Sequence, residues 1–438
     1  MRARRSTVRT GRALVLISVL ALSGFGLVMV YSASSVKDYQ VLGNSAYHLV
    51  KQAQWLVVGL LVMLFASRLD LRLSSRSLPL HRDAVAVGFA AWGLSVAGLV
   101  AVLAAGVERY GAKRWLELGG IGLQPSEFAK LGCVLLAAAL LAKWKRGELG
   151  GWQAAAQIGW MTGLVFALVI FQPDMGTAVS IAIGVFILLV LAEVNGWALA
   201  GLAGAGGLAG VLLVFVEQYR MDRFMAFIDP WSDPSDKGYQ IVQSLLAFGS
   251  GGIRGVGLGL SRQKFSYLPM AHTDFIFAIV GEELGLIGSL AVVLAFATFV
   301  LGGFMVAIGS ASEYDRLLAG GITGLIGTQA IINMCAATGL MPVTGIPLPF
   351  VSYGGSSLML TLGCVGLVLG VARRAERSPA AVRPRRAPQQ PRTVAGPRDA
   401  SRLSRKGPLR EIPVERRRDR GAHLPRADRR AHPRAGRA

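Results

Sequence analysis

Residues 283–309 read ELGLIGSLAVVLAFATFVLGGFMVAIG, and after Glu283 the stretch carries no charged side chain. Coiled as a helix with a rise of about 1.5 Å per residue, such a run covers the roughly 30 Å hydrocarbon core of a bilayer. Outward from it lie nine more apolar runs, at 13–31, 47–67, 84–106, 127–143, 157–171, 175–193, 197–216, 317–338 and 355–372. The run at 157–171 is short for a span, so tilt, or an extension from Gln153 to Gln157, is expected there. Apolar residues make up 53% of the 438, and 55 glycines bring that share to about 65%. Soluble domains hold roughly 45–50%. The fold class expected is an all-α integral membrane protein of about ten transmembrane helices.

An even number of spans puts both termini on one side. The short segments with Arg2, Arg4, Arg5, Arg9 and Arg12, with Arg68, Arg72, Arg76 and Arg82, and with Lys143, Lys145 and Arg146 then share that side, which the positive-inside rule makes cytoplasmic. The first apolar run is too long for the core of a cleaved signal and reads as an uncleaved helix. Residues 1–12 form a basic cytoplasmic N-terminus, residues 13–372 a polytopic membrane domain, and 217–273 a large extracytoplasmic loop between the seventh and eighth spans. Residues 373–438 carry 21 Lys/Arg against 6 Asp/Glu, +15 of the total +21. Rich in Arg and Pro, this cytoplasmic tail lacks the apolar content to order itself. It rests against anionic membrane lipids or docks an acidic partner; no nucleic-acid partner is expected. Cys133, Cys335 and Cys364 have no paired spacing, which excludes a disulfide scaffold and gives no zinc or redox motif.

Polar groups that hydropathy does not explain gather in the outward segments. The first holds Arg109, Lys113, Arg114, Trp115 and Glu117, then Gln124, Ser126, Glu127 and Lys130. Cations outside run against the inside bias, so they are either snorkelling anchors beside an interfacial tryptophan or a phosphate site. Pro125 opens the next span, with Ser126 near its cap and Glu127 and Lys130 three apart on one face, a pairing that a lysine at apolar depth requires. Asp174, in Gln172-Pro173-Asp174-Met175-Gly176-Thr177, reads as a helix cap or a site residue.

Asp274 stands where a polar loop enters an apolar helix. Limited hydration there raises a carboxyl pKa towards general-base duty; the other reading, which spacing alone favours, is a helix cap. Glu282 and Glu283 lie about 12 Å further along the helix and are either structural glue or part of a polar cavity. The final outward segment, with Asn333 before it and Ser352, Tyr353 and Ser356 at its end, is broken by prolines and glycines and has no charges, so it reads as a re-entrant loop lining a cavity rather than a hairpin.

In order along residues 13–372, Gly111-Ala112-Lys113-Arg114-Trp115, Gln124-Pro125-Ser126-Glu127, Gln172 to Ala178, Ala271-His272-Thr273-Asp274-Phe275-Ile276-Phe277-Ala278, Gly281-Glu282-Glu283-Leu284-Gly285 and Pro347 to Ser357 together resemble the SEDS (shape, elongation, division and sporulation) family, the FtsW and RodA peptidoglycan polymerases. Gln263-Lys264 before Tyr267-Leu268-Pro269 is more similar to the FtsW branch. The resemblance implies a glycosyltransferase that joins lipid II at the outer face of the cytoplasmic membrane, at the division septum, releasing undecaprenyl diphosphate. It implies Asp274 as catalytic base, with Arg109, Lys113, Arg114 and Lys130 on the diphosphate. Trp115, Glu117, Gln124, Ser126, Glu127, Asp174, His272, Thr273, Asn333, Ser352, Tyr353 and Ser356 become candidate substrate contacts. A class B penicillin-binding protein transpeptidase and other divisome proteins are the implied partners, and a divalent cation, Mg or Mn, the implied helper, although no ligand cluster can be deduced. Met270 stands where FtsW-like chains usually have an acidic residue, which removes support for a second acid beside Asp274. The rival readings are a lipid II flippase, which needs a polar path through the bilayer, and a non-enzymatic divisome scaffold.

Overall fold

The computed structural model describes residues 2–71, 83–109, 112–118, 121–265 and 267–377. Arg72, Arg76, Arg82, Gly111 and the tail beyond Arg377 lie outside the described residues. The helices are α1 (Arg2–Leu42), α2 (Tyr47–Arg68), α3 (Ala84–Ala105), α4 (Pro125–Lys145), α5 (Gly151–Ile170), α6 (Met175–Leu191), α7 (Gly196–Val216), the shorter α8 (Gln218–Ile228) and α9 (Tyr239–Gly251), then α10 (Ile276–Ile308), α11 (Glu313–Ala337) and α12 (Gly355–Arg377). Among the described residues nine are long and apolar enough to span a membrane, and α6, at 17 residues, is the shorter tenth. The protein is a multi-pass membrane protein. In hydrocarbon every backbone amide must be satisfied within its own segment, and these apolar runs satisfy it as helices.

The interior of the bundle is set by burial. The apolar windows of α4, α11 and α12 are 89%, 83% and 83% buried, while that of α7 has no buried residue. Around that inner layer α2 packs on α12, α1 on α10 and α3 on α4. At one end of the bundle Arg12 pairs with Glu376 at 3.2 Å, Arg374 with Asp315 at 2.5 Å, and Arg4 donates to the Gly309 carbonyl at 2.8 Å. Both described ends of the chain therefore lie together.

The all-α expectation holds for the membrane spans, and the segment between α3 and α4 adds one small sheet. There β1 (Val107–Arg109), β2 (Ala112–Leu118) and β3 (Ile121–Leu123) form a three-stranded antiparallel sheet in the order β1-β2-β3, with Glu108 opposite Lys113 and Glu117 opposite Gly122. The alternation Lys113, Arg114, Trp115, Leu116, Glu117 has a period of two, and Gly119-Gly120 between alternating runs is a hairpin signal. Reading these cations only as loop residues hides it.

Two helices also exceed their apolar runs. The first continues through the basic N-terminus as one helix of 41 residues. The tenth starts at Ile276 and breaks at Gly285, whose φ of 65° and ψ of −158° suit glycine. The amides freed by the break, Leu286 and Ile287, donate to the carbonyls of Gly252 and Ile253 at 2.9 and 3.2 Å. In return Val256 and Gly257 donate to the carbonyls of Glu282 and Glu283, each at 3.0 Å. The two buried carboxylates finish the join. Glu283 accepts from Ser32 Oγ at 2.7 Å and from the Ser261 amide at 3.3 Å, with Lys264 Nζ 3.8 Å away. Glu282 accepts from the Ser261 hydroxyl and from the Arg262 amide at 2.9 Å. These glutamates are glue between α10, α1 and the outer loop.

Candidate active site

Asp274 sits in the turn that opens α10. The carbonyl of Met270, held at φ 54°, accepts from the amides of Thr273 and Phe275 at 3.1 and 3.3 Å and so shapes that turn. The irregular segment between α11 and α12 clasps the turn from the side. Asn333 Nδ2 donates to the Asp274 carbonyl at 2.8 Å and to the Ile346 carbonyl at 2.7 Å. Ser352 Oγ donates to the Thr273 carbonyl at 2.6 Å and accepts from the Leu348 amide at 2.8 Å, and the Tyr353 amide donates to the His272 carbonyl at 2.9 Å. Gln52 Nε2 reaches the Ser352 carbonyl at 3.1 Å. Every one of these bonds satisfies irregular backbone beside an apolar bundle, the condition under which it is tolerated at that depth.

The half-buried Asp274 carboxylate faces the left-handed Gly345, close enough that a Cβ there would sit 3.6 Å from Oδ2. Loss of hydration pushes its pKa up to about 6; the nearby guanidinium groups of Arg223 and Arg114 work against that rise, and the Asp174 carboxylate adds to it. Arg223 reaches over from α8, stacked on Tyr219 at 4.5 Å, with Nη1 donating to the Val343 carbonyl at 3.0 Å. Burial draws its own pKa below the usual arginine range, with Tyr219 and Asp274 opposing.

Arg114 arrives from β2. Its Nε donates to the Gln172 carbonyl at 3.1 Å, Nη2 donates to the Pro173 carbonyl, and Nη1 lies 4.0 Å from Asp174 Oδ1. Asp174 caps α6 by accepting from the Thr177 amide at 3.3 Å, and it also accepts from Gln124 Nε2 and Ser126 Oγ, both at 3.2 Å. Asp174 is thus the helix cap that its position suggested, and it faces Arg114 as well.

The remaining sequence candidates stand in β1, β2, α4 and α12. Glu127 and Lys130 form a buried pair at 2.7 Å, completed by Ser357 Oγ on Glu127 at 3.1 Å. Lys113 and Glu117 are exposed on β2, Trp115 is half-buried there, and Ser356 is buried in the first turn of α12. Arg109 ends β1, and its side chain lies outside the described residues. Arg223 is the group that sequence reasoning passed over. It stands in a mixed-charge run of the outer segment, and only the fold brings it within electrostatic reach of Asp274.

Among the described residues no three His, Cys, Asp or Glu side chains gather where they could hold a metal ion.

The FtsW/RodA/SpoVE family, described as cell cycle protein, matches residues 12–377. A relative from Geobacter metallireducens, "Probable peptidoglycan glycosyltransferase FtsW", is 39% identical over 368 residues, covering 83% of this chain and 95% of that one. Stage V sporulation protein E of Bacillus subtilis is 38% identical over 367 residues, covering 82% and 96%. Among solved structures, a chain from a peptidoglycan synthase complex that coordinates polymerization and crosslinking is similar with a TM-score of 0.68 and 29% identity, over 83% of this chain and 98% of that one. The rod shape determining protein RodA of Thermus thermophilus is similar with a TM-score of 0.60 and 28% identity, over 83% and 97%.

Proposed function

The chain belongs to the FtsW/RodA/SpoVE family, and from that premise we propose that Asp274 is the general base of a peptidoglycan glycosyltransferase that polymerises lipid II. The chain is an enzyme of cell-wall synthesis. The 4-hydroxyl of an acceptor N-acetylglucosamine attacks the anomeric carbon of N-acetylmuramic acid on the donor. Its proton passes to the Asp274 carboxylate, the new glycosidic bond forms, and undecaprenyl diphosphate leaves with the electron pair of the broken bond. A base with a pKa near 6 is ionised at neutral pH yet basic enough to take a proton in the transition state. Arg223 and Arg114, both within electrostatic reach of Asp274, offset the charge that grows on the diphosphate.

The observation that carries this reading is the convergence of one half-buried carboxylate and two arginines from different outer segments. A flippase would draw on Glu282 and Glu283 as a polar path, but both are already engaged by Ser32, Ser261, Arg262 and Lys264. The reading extends to a cytoplasmic membrane protein at the division septum, with the Asp274 end outward, both termini in the cytoplasm and a class B penicillin-binding protein transpeptidase as partner. The test is a vesicle reconstitution of the full chain with its transpeptidase and labelled lipid II. Polymer is expected; lipid crossing the membrane without polymer would overturn the proposal.

A further inference from the structure

A second polar cluster lies behind the Asp274 turn and takes no part in the chemistry above. Asp38, near the end of α1, has a side chain only 2% exposed, and His48, in the first turns of α2, places Nδ1 2.5 Å from its Oδ1. Oδ2 of the same carboxylate accepts from the His48 amide at 3.1 Å and from Ser34 Oγ at 3.0 Å. Both oxygens of Asp38 are thus spent on holding one imidazole and the hairpin that carries it. The ring so held lies 4.8 Å from the His272 ring and 4.6 Å, edge on, from Tyr353. His272 and Tyr353 are themselves joined by the 2.9 Å backbone bond that ties the Asp274 turn to the irregular segment before α12.

Burial first, then His48 and the neighbouring Lys37, hold the His272 pKa down to about 4 against the pull of Asp38. His272 is therefore neutral at physiological pH, and an imidazole can pack against it without like-charge repulsion. Through the His48 ring the α1–α2 hairpin meets the turn.

We propose that Asp38 and His48 are positioning residues for the transfer reaction: the carboxylate fixes the imidazole, and the imidazole braces His272 and Tyr353 so that Asp274 stays in register with the acceptor hydroxyl. The proposal rests on Asp274 being the base. A side chain that misplaces a reacting group by even about 1 Å can cost as much as 10²-fold in rate, so bracing is a catalytic matter although neither residue touches substrate.

The test measures kcat and KM for labelled lipid II in the full chain reconstituted with its transpeptidase, alongside thermal unfolding. His48→Ala is expected to lower kcat about tenfold with KM little changed, as a loss of base placement requires. Asp38→Ala is expected to do the same while His48 is present, because a freed imidazole no longer braces. In the His48→Phe background, where a ring is held by packing, Asp38→Ala is expected to have little further effect, so the His48→Phe substitution rescues the loss. An unchanged kcat in His48→Ala, or equal damage from Asp38→Ala in the native and His48→Phe backgrounds, overturns the brace. Asp274→Asn runs in parallel: if it still polymerises, the base assignment fails, whereas an inactive Asp274→Asn beside a normal His48→Ala removes the brace alone.

Discussion

Asn333 donates to the backbone carbonyl of Asp274 at 2.8 Å while its other amide hydrogen reaches the Ile346 carbonyl at 2.7 Å. One side chain on α11 thereby fixes both the base-bearing turn and the irregular segment that faces it. Asn333→Ala would leave two carbonyls without donors in a buried setting, at a cost of about 1–3 kcal/mol. Thermal unfolding in detergent is expected to shift down accordingly, and kcat to fall at least about tenfold in the folded fraction; an unshifted transition with normal kcat would show that the clasp is redundant.

The acid limb of the pH profile reports the base. With Asp274 near 6, kcat/KM is expected to rise with pH through that value and to fall about tenfold per unit below it, since the protonated carboxyl accepts nothing. Arg223 holds the carboxyl down, so Arg223→Ala is expected to move the midpoint upward. A midpoint that stays put or moves down would place Arg223 outside the electrostatic reach of Asp274.

Arg114 does two jobs through one planar group, bonding the 172–173 carbonyls and facing Asp174. Lysine cannot reproduce that fork. Arg114→Ala and Arg114→Lys are both expected to raise KM for lipid II severalfold, and a lysine variant with wild-type KM would reduce Arg114 to a point charge.

Glu127 and Lys130 are each nearly inaccessible. Removing one partner strands a buried charge, which costs about 3–5 kcal/mol. Lys130→Met alone is expected to unfold at markedly lower temperature, and adding Glu127→Gln to recover most of that loss. If the single variant keeps full stability but loses substrate use, Lys130 serves the diphosphate instead of the pair.

The span pattern was legible because hydrocarbon forces apolar segments into helices, and the runs found in the sequence correspond to α1 through α7 and α10 through α12. Asp274 and Asp174 stood out because a carboxylate at the start of an apolar helix needs a reason. The sheet at 107–123 was hidden by its shortness, with only three residues in β1 and in β3. Arg223 and the Asp38–His48 pair were hidden for a different reason. Arg223 becomes a neighbour of Asp274 only when α8 folds back over the site, and His48 meets His272 from the far end of the chain's sequence, so no local spacing carries the signal.

The central claim is the proton acceptor, and the most direct measurement is glycan polymer formed from labelled lipid II by the purified chain with its transpeptidase, comparing Asp274 with Asp274→Asn. The amide matches the carboxylate in shape but takes no proton, so polymer is expected to fall by about two orders of magnitude or more while the complex stays assembled. Polymer at the wild-type rate from Asp274→Asn would contradict the account.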